Sequence, residues 1–243
     1  RSVAEYRGRS VAVDVSCWLH KGSYRCAREM CLGEPTSKYV DYCLDYVRLL
    51  QGHGVRPVLV FDGRPLPAKR GENASRAQSR EAALDRALRH LAEGNASSAA
   101  EAFQRAVVIR PVHNKVLLEA VKAHGGVDFV VAPYEADAQL GFLSNLPEPF
   151  GVAAVVSEDS DLVAYGCRCL IFKLDGKTAQ GLELRAADIF APPSIDVEPG
   201  TGPCAARAAA TGGAAARARP RTSPAPRGAG SPPSSPRSRT CGA

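Results

Sequence analysis

Five short runs of β-branched and small apolar residues set the limits on what this chain can fold into: SVAVDV (10–15), PVLVFDG (57–63), VDFVVAP (127–133), GVAAVV (151–156) and CLIFKL (169–174). Longer stretches with helical spacing separate them, at roughly 17–31, 36–53, a polar segment from about 70 to 109, 113–124 and 134–145, the last with Pro133 at its entry. Nearly continuous apolar runs, rather than alternating ones, belong to strands covered on both faces, and helices between strands permit the crossovers that parallel pairing needs. The expected fold class is therefore α/β, a parallel-rich sheet flanked by helices.

At 243 residues, 45% hydrophobic and 23% charged, the chain can bury one good-sized core. No run approaches the roughly 18 apolar residues of a membrane span, and RSVAEYRGRS at the start lacks the apolar stretch of a signal peptide. The eight cysteines form no C-x-x-C pair and have no matching His spacing, which points to reduced core thiols rather than structural zinc or a disulfide framework. Residues 191–243 are mostly Ala, Gly, Pro, Ser and Arg with no Leu and no aromatic, a composition that cannot offset the entropy of ordering and predicts a disordered tail. Seven Arg against Asp196 and Glu198 give that tail +5 of the formal +6. It reads either as frame-shifted or non-coding sequence or as a basic extension that touches nucleic acid.

The acids fall at particular places on this pattern. Asp14 ends the first run, Asp62 the second, Glu135 and Asp137 follow the third, and Asp159 and Asp161 follow the fourth. In an open parallel sheet the C-terminal strand edge is where ligands bind, so six carboxylates from distant parts of the chain are expected at one edge. Gathered without cations they would repel, and a pair of oxygen-preferring divalent ions resolves this, the usual clamp for in-line attack on a phosphodiester. Singly, each acid also fits a cap or a helix first turn. Asp14 fits that reading least, because its strand is expected to be buried on both faces, where an unpaired charge is costly.

The segments VAVDVSCWLHKG, GVRPVLVFDGRPLPAKR, VAPYEADAQL and SEDSDLVAYGC, in this order, resemble the motifs of the flap-endonuclease/XPG nuclease superfamily over about residues 6–190. The resemblance implies a PIN/flap-endonuclease-like nuclease domain at 1–190 with a helical arch at about 63–109. It implies one Mg2+ served by Asp14, Asp62, Glu135 and Asp137 and a second served by Asp159 and Asp161 with Asp137 between, Mn2+ being able to substitute. It also implies catalytic Lys69, Arg76 and Arg80 on the arch and DNA contacts from His20, Lys21, Lys69, Arg70, Arg76 and Arg80. The activity implied is a metal-dependent 5′-to-3′ double-stranded DNA exonuclease with 5′-flap endonuclease activity, in mismatch repair and end resection in the nucleus. Its implied partners are duplex DNA with 5′ ends, nicks or flaps, mismatch-repair factors and a sliding clamp, with no membrane and a monomeric chain.

Against the family pattern, a Met-Gly segment before Arg1, a later GCDY-type carboxylate motif and a DNA-gripping helix-two-turn-helix are absent. The loop at 144–151 is slightly longer, and Ser16 stands where the family favours an aromatic. An incomplete, weakly active nuclease domain is the resulting expectation. His20 alone reads as a core or capped histidine and Trp18 as packing; Lys69, Arg76 and Arg80 alone read as a solvated helix face. Two rival readings remain: another acid-cluster phosphoesterase of PIN type, and a peptide-binding adaptor, because LAEGNASSAAEAFQRAVVIRP (91–111) looks like half of a tetratricopeptide repeat, though a solenoid needs about three copies.

Overall fold

A computed structural model describes residues 1–147 and 149–190. At its centre β1 (Ser10–Asp14) pairs in parallel with β2 (Arg56–Phe61) on one side and β4 (Ala154–Val156) on the other, Val13 lying opposite Leu59 and Val156. The sheet runs β3-β2-β1-β4-β5-β6, with β3 (Asp128–Val131) at one edge and β5 (Cys169–Phe172) beyond β4. Among the described strands of this sheet, β6 (Leu182–Arg185) alone runs antiparallel to its neighbour. The sequence pattern did not foretell β6, because LELR has no β-branched residue and no apolar run.

Alternation along the strands divides the core. Val11, Val13, Leu59, Phe61 and Ile171 face α1 (Val15–Ser23), α3 (Lys38–Gly52) and α6 (Pro111–His124), while Ala12, Val60, Val155 and Leu170 face α7 (Ala136–Asn145) and the 3₁₀ turn Ser160–Val163. Gly22 lets α1 lie close on α3: a Cβ there would meet the Tyr39 carbonyl oxygen at 2.9 Å.

The structure refines several expected boundaries. The helix expected at 17–31 divides at a 3₁₀ turn, Tyr24–Cys26, before α2 (Ala27–Leu32). The helix after β3 starts at Ala136 rather than 134, since Pro133 and Tyr134 are engaged elsewhere: their carbonyls accept from the Arg64 and Gly63 amides at 3.2 and 2.6 Å. That contact admits only glycine at 63, where a Cβ would sit 1.8 Å from the Ala132 oxygen. The arch, expected as one polar segment, is a hairpin of α4 (Arg70–Ala92) and α5 (Ala96–Ala106). Gly94 turns it at a φ of 74°, and the Asn95 side chain caps α5 by accepting from the Ser98 amide at 3.1 Å.

Phe103, Ala99 and Ala102 of α5 and Ala87 of α4 close on Ala27 and Met30 of α2. This accounts for the repeat-like spacing of 91–111: one helical hairpin completes its core on α2, with no second repeat to stack on. A final short helix, α8 (Ala186–Phe190), follows β6. Among the described residues no helix is long and apolar enough to cross a membrane. The expectation of a disordered tail concerns 191–243, outside the described residues.

Candidate active site

Asp14 closes β1 and caps α1, and its side chain is 4% exposed. One oxygen accepts from the Ser16 amide at 3.0 Å; the other accepts from the Ser157 hydroxyl at 2.8 Å and the Cys17 thiol at 2.9 Å. Burial raises the Asp14 carboxyl above the usual carboxylate range, while the Cys17 and Ser157 hydrogen bonds pull the other way. Burial and the neighbouring Asp14 push the Cys17 thiol up to about 12, so it stays protonated and can donate.

Asp62, just past β2, accepts from the Ala136 amide at 2.8 Å and from the Ser16 hydroxyl, tying the start of α7 to the start of α1. Glu135 is the residue before α7, and both its oxygens lie near the Lys69 ammonium, at 2.7 and 2.9 Å. Asp137 sits in the first turn of α7, half-buried. Burial, then repulsion from Asp14, Asp159, Asp62 and Glu135, pushes its carboxyl up to about 6. After β4, Asp159 accepts from the Asp161 amide at 2.8 Å, and its own amide donates to the Ser157 hydroxyl at 3.0 Å. Ser157 therefore joins Asp14 to the loop that carries Asp159 and Asp161.

All six acids line one open cleft of about 760 Å³, together with His20, Lys21, Lys69 and Arg76. Lys21 is paired with Glu158 at 2.7 Å. His20 is held below the ordinary imidazole range by burial and then by the Arg80 charge, which keeps the ring neutral at physiological pH. Arg80 does not line this cleft. It lies with His20 and Tyr24 around an adjoining cavity of about 470 Å³. Arg70, exposed at the start of α4, lines neither.

Cys17, Ser157 and Glu158 are participants that the sequence pattern did not single out, and Ser16 was noted only for standing where an aromatic was expected. The signal available for Ser157 was its place between a buried strand and EDSD; Cys17 reads from sequence as one core thiol among eight.

Among the described residues no three His, Cys, Asp or Glu side chains stand together in a metal-holding group. The six acids share a cleft without forming a closed cage, and four of them, Asp14, Asp62, Glu135 and Asp159, accept from donors of the surrounding fold. The donor set nonetheless suits a hard divalent cation: it is all oxygen, it faces an open polar cleft, and Asp137, raised first by burial, is raised further by the four carboxylates around it. A cation or a proton relieves that repulsion; the basic residues on the cleft wall add an attraction for phosphate.

The profile of the XPG N-terminal domain matches residues 1–83, and that of the XPG I-region matches residues 126–195. The two blocks carry all six acids and leave most of the arch between them. Exonuclease 1 of Arabidopsis thaliana is 46% identical over 187 residues, 77% of this chain and 25% of that protein. Exonuclease 1 of Danio rerio is 48% identical over 182 residues, 75% of this chain and 22% of that protein. The chain thus spans about a quarter of the length of the curated relatives it matches. Human GEN1, solved in complex with Holliday junction DNA, shares the fold at a TM-score of 0.51 and 16% identity, over 77% of this chain and 41% of that one.

Proposed function

From the premise that the chain belongs to the XPG nuclease family, we propose that it supplies the metal-dependent centre of a 5′-to-3′ double-stranded DNA exonuclease that also cuts 5′ flaps. The observation that carries this reading is the convergence of six strand-end carboxylates and the basic Lys69 and Arg76 on one open cleft. Kinship with Exonuclease 1 supports exonuclease chemistry, and the polarity and duplex substrate are those that the resemblance to the flap-endonuclease/XPG superfamily implies.

In this proposal Asp14, Asp62, Glu135 and Asp137 hold one divalent ion, Mg2+ or Mn2+, and Asp159 and Asp161 hold a second with Asp137 between them. Held there, such ions would polarise the phosphoryl oxygens and supply an activated water at neutral pH. The chain's own groups do the rest. The hydrogen bonds of Ser16, Cys17 and Ser157 fix Asp14 and Asp62 before substrate arrives, so little reorganisation is left for the reaction. Lys69 and Arg76 offer positive charge to the scissile phosphate from the arch side. His20, neutral and at the junction of the cleft with the second cavity, is placed to contact a nucleotide without adding charge. Arg80 acts from the adjoining cavity rather than at the scissile bond, and Arg70 contributes only long-range attraction.

By the same kinship, we place the protein in the nucleus, in mismatch repair and end resection, as a monomer working with mismatch-repair factors and a sliding clamp on duplex DNA with 5′ ends, nicks or flaps.

The test is Asp161→Ala. Asp161 lines the cleft, and its backbone amide, not its side chain, holds Asp159, so the fold should persist. Binding of a 5′-recessed duplex, read by fluorescence anisotropy, is expected to stay within a few-fold of wild type while Mg2+-dependent hydrolysis falls by at least 100-fold. Hydrolysis within tenfold of wild type would remove the acid cluster from the chemistry.

A further inference from the structure

The acids of the cleft are not all held in the same way. Asp14, Asp62 and Asp159 accept from backbone amides and from short hydroxyl or thiol side chains that belong to the frame of the fold. These bonds leave lone pairs free and need not break when a cation arrives. Glu135 differs. Its partner among the described residues is a single ammonium, and that ammonium lies within 3 Å of both oxygens. The Glu135 side chain makes no cap bond to α7 that would hold it otherwise.

A carboxylate engaged at both oxygens by Lys69 cannot at the same time give an oxygen to a divalent ion without the ammonium moving away. Lys69 can move: its side chain is 42% exposed, and a long flexible stem carries the charge. It ends the 3₁₀ turn Pro67–Lys69 and immediately precedes α4, so its charge sits at the base of the arch.

Resting on the nuclease reading above, we propose that Lys69 is a built-in counter-cation for Glu135, which a divalent ion displaces, and that the released ammonium is then free for a DNA phosphate. Metal uptake and DNA binding reinforce one another through this one side chain. In the metal-free protein Lys69 offsets part of the repulsion among the acids, and it is unavailable to DNA. Lys21 makes a superficially similar pair with Glu158, but Glu158 is not among the six acids, so releasing Lys21 is not a condition for metal entry.

The test uses Mn2+ and Ca2+ on the whole 243-residue chain. In calorimetric titration without DNA, Lys69→Met should bind Mn2+ roughly 2- to 5-fold more tightly than wild type, the size expected for removing one partly exposed ion pair. Lys21→Met should show a smaller gain. In EDTA, Lys69→Met and wild type should bind a 5′-phosphorylated duplex equally, within 2-fold; in Ca2+, wild type should gain several-fold in affinity and Lys69→Met should gain less. Mn2+ binding by Lys69→Met no tighter than wild type, or a gain no larger than that of Lys21→Met, overturns the proposal while leaving the metal site standing. A wild-type chain that binds no Mn2+ at millimolar concentration overturns both this proposal and the nuclease reading.

Discussion

Replacing Asp137 with Asn should make the metal-free protein more stable. Asp137 is pushed from an ordinary 3.8 up to about 6 by burial and by four neighbouring carboxylates, so at neutral pH the folded state holds a charge that the unfolded chain holds at lower cost. The sign follows from linkage: a carboxyl raised on folding costs no stability below about pH 3.8, where it is protonated in both states. It costs progressively more as pH rises toward 6, and the cost levels off above that. At about 1.4 kcal/mol per pH unit the ceiling is about 3 kcal/mol, and because Asp137 is only half-buried, screening reduces this to about 1–2 kcal/mol. Asn keeps the shape and removes the charge. In EDTA at pH 7.5, thermal denaturation of Asp137→Asn should lie roughly 3–6 °C above wild type, as expected for a fold of this size. At pH 5 the advantage should shrink to about half. Saturating Mn2+ should reverse the order, because wild type then gains binding energy that the variant lacks. An equal or lower midpoint for Asp137→Asn in EDTA at pH 7.5 would refute the view of this cleft as a set of uncompensated acids.

Two further substitutions probe the frame around the site. Ser157→Ala removes a donor to Asp14 and the acceptor of the Asp159 amide, and should cost about 2 kcal/mol in chemical denaturation, with weakened Mn2+ binding as well; a loss under 0.5 kcal/mol would show that the link between the two groups of acids is dispensable. Phe103→Ala empties the contact of the arch hairpin with α2 and should cost about 3 kcal/mol, with hydrogen exchange rising over residues 70–106 before the sheet; uniform exchange changes would contradict a separately closed hairpin.

The sheet was legible where burial on both faces forced uniform apolar runs, as in β1 and β2, and illegible in β6, whose partly exposed residues at an antiparallel edge leave no such trace. The six acids were legible because each strand end is marked by the run before it. What holds them was legible only in the caps that Asp14 and Asp159 make on the turns they precede. The Ser157 and Cys17 bonds to Asp14 link residues up to 143 positions apart, and nothing local to SCW or VSE announces them. The displacement of α7 to Ala136 has the same origin, a contact between Gly63 and Tyr134 that only tertiary structure creates. The arch was seen as helical and polar, yet its turn and its docking on α2 emerge from small residues, Gly94, Ala99 and Ala102, whose spacing equally suits a repeat. Of the six basic or imidazole residues expected on DNA, His20, Lys21, Lys69 and Arg76 meet in the cleft. Arg80 falls one helical turn beyond Arg76 and faces the neighbouring cavity.

The central claim, a cation-dependent centre that degrades DNA from its 5′ ends, is tested most directly by the polarity of digestion. A 5′-recessed duplex labelled at either end of the recessed strand is incubated with the 243-residue chain in Mg2+ and in EDTA. In Mg2+ the 5′ label is expected to leave first as short products, while the 3′-labelled strand shortens progressively from its other end; EDTA should stop both. Loss of the 3′ label first, or digestion that persists in EDTA, would contradict the assignment of the six acids at the strand ends to a 5′-to-3′ nuclease centre.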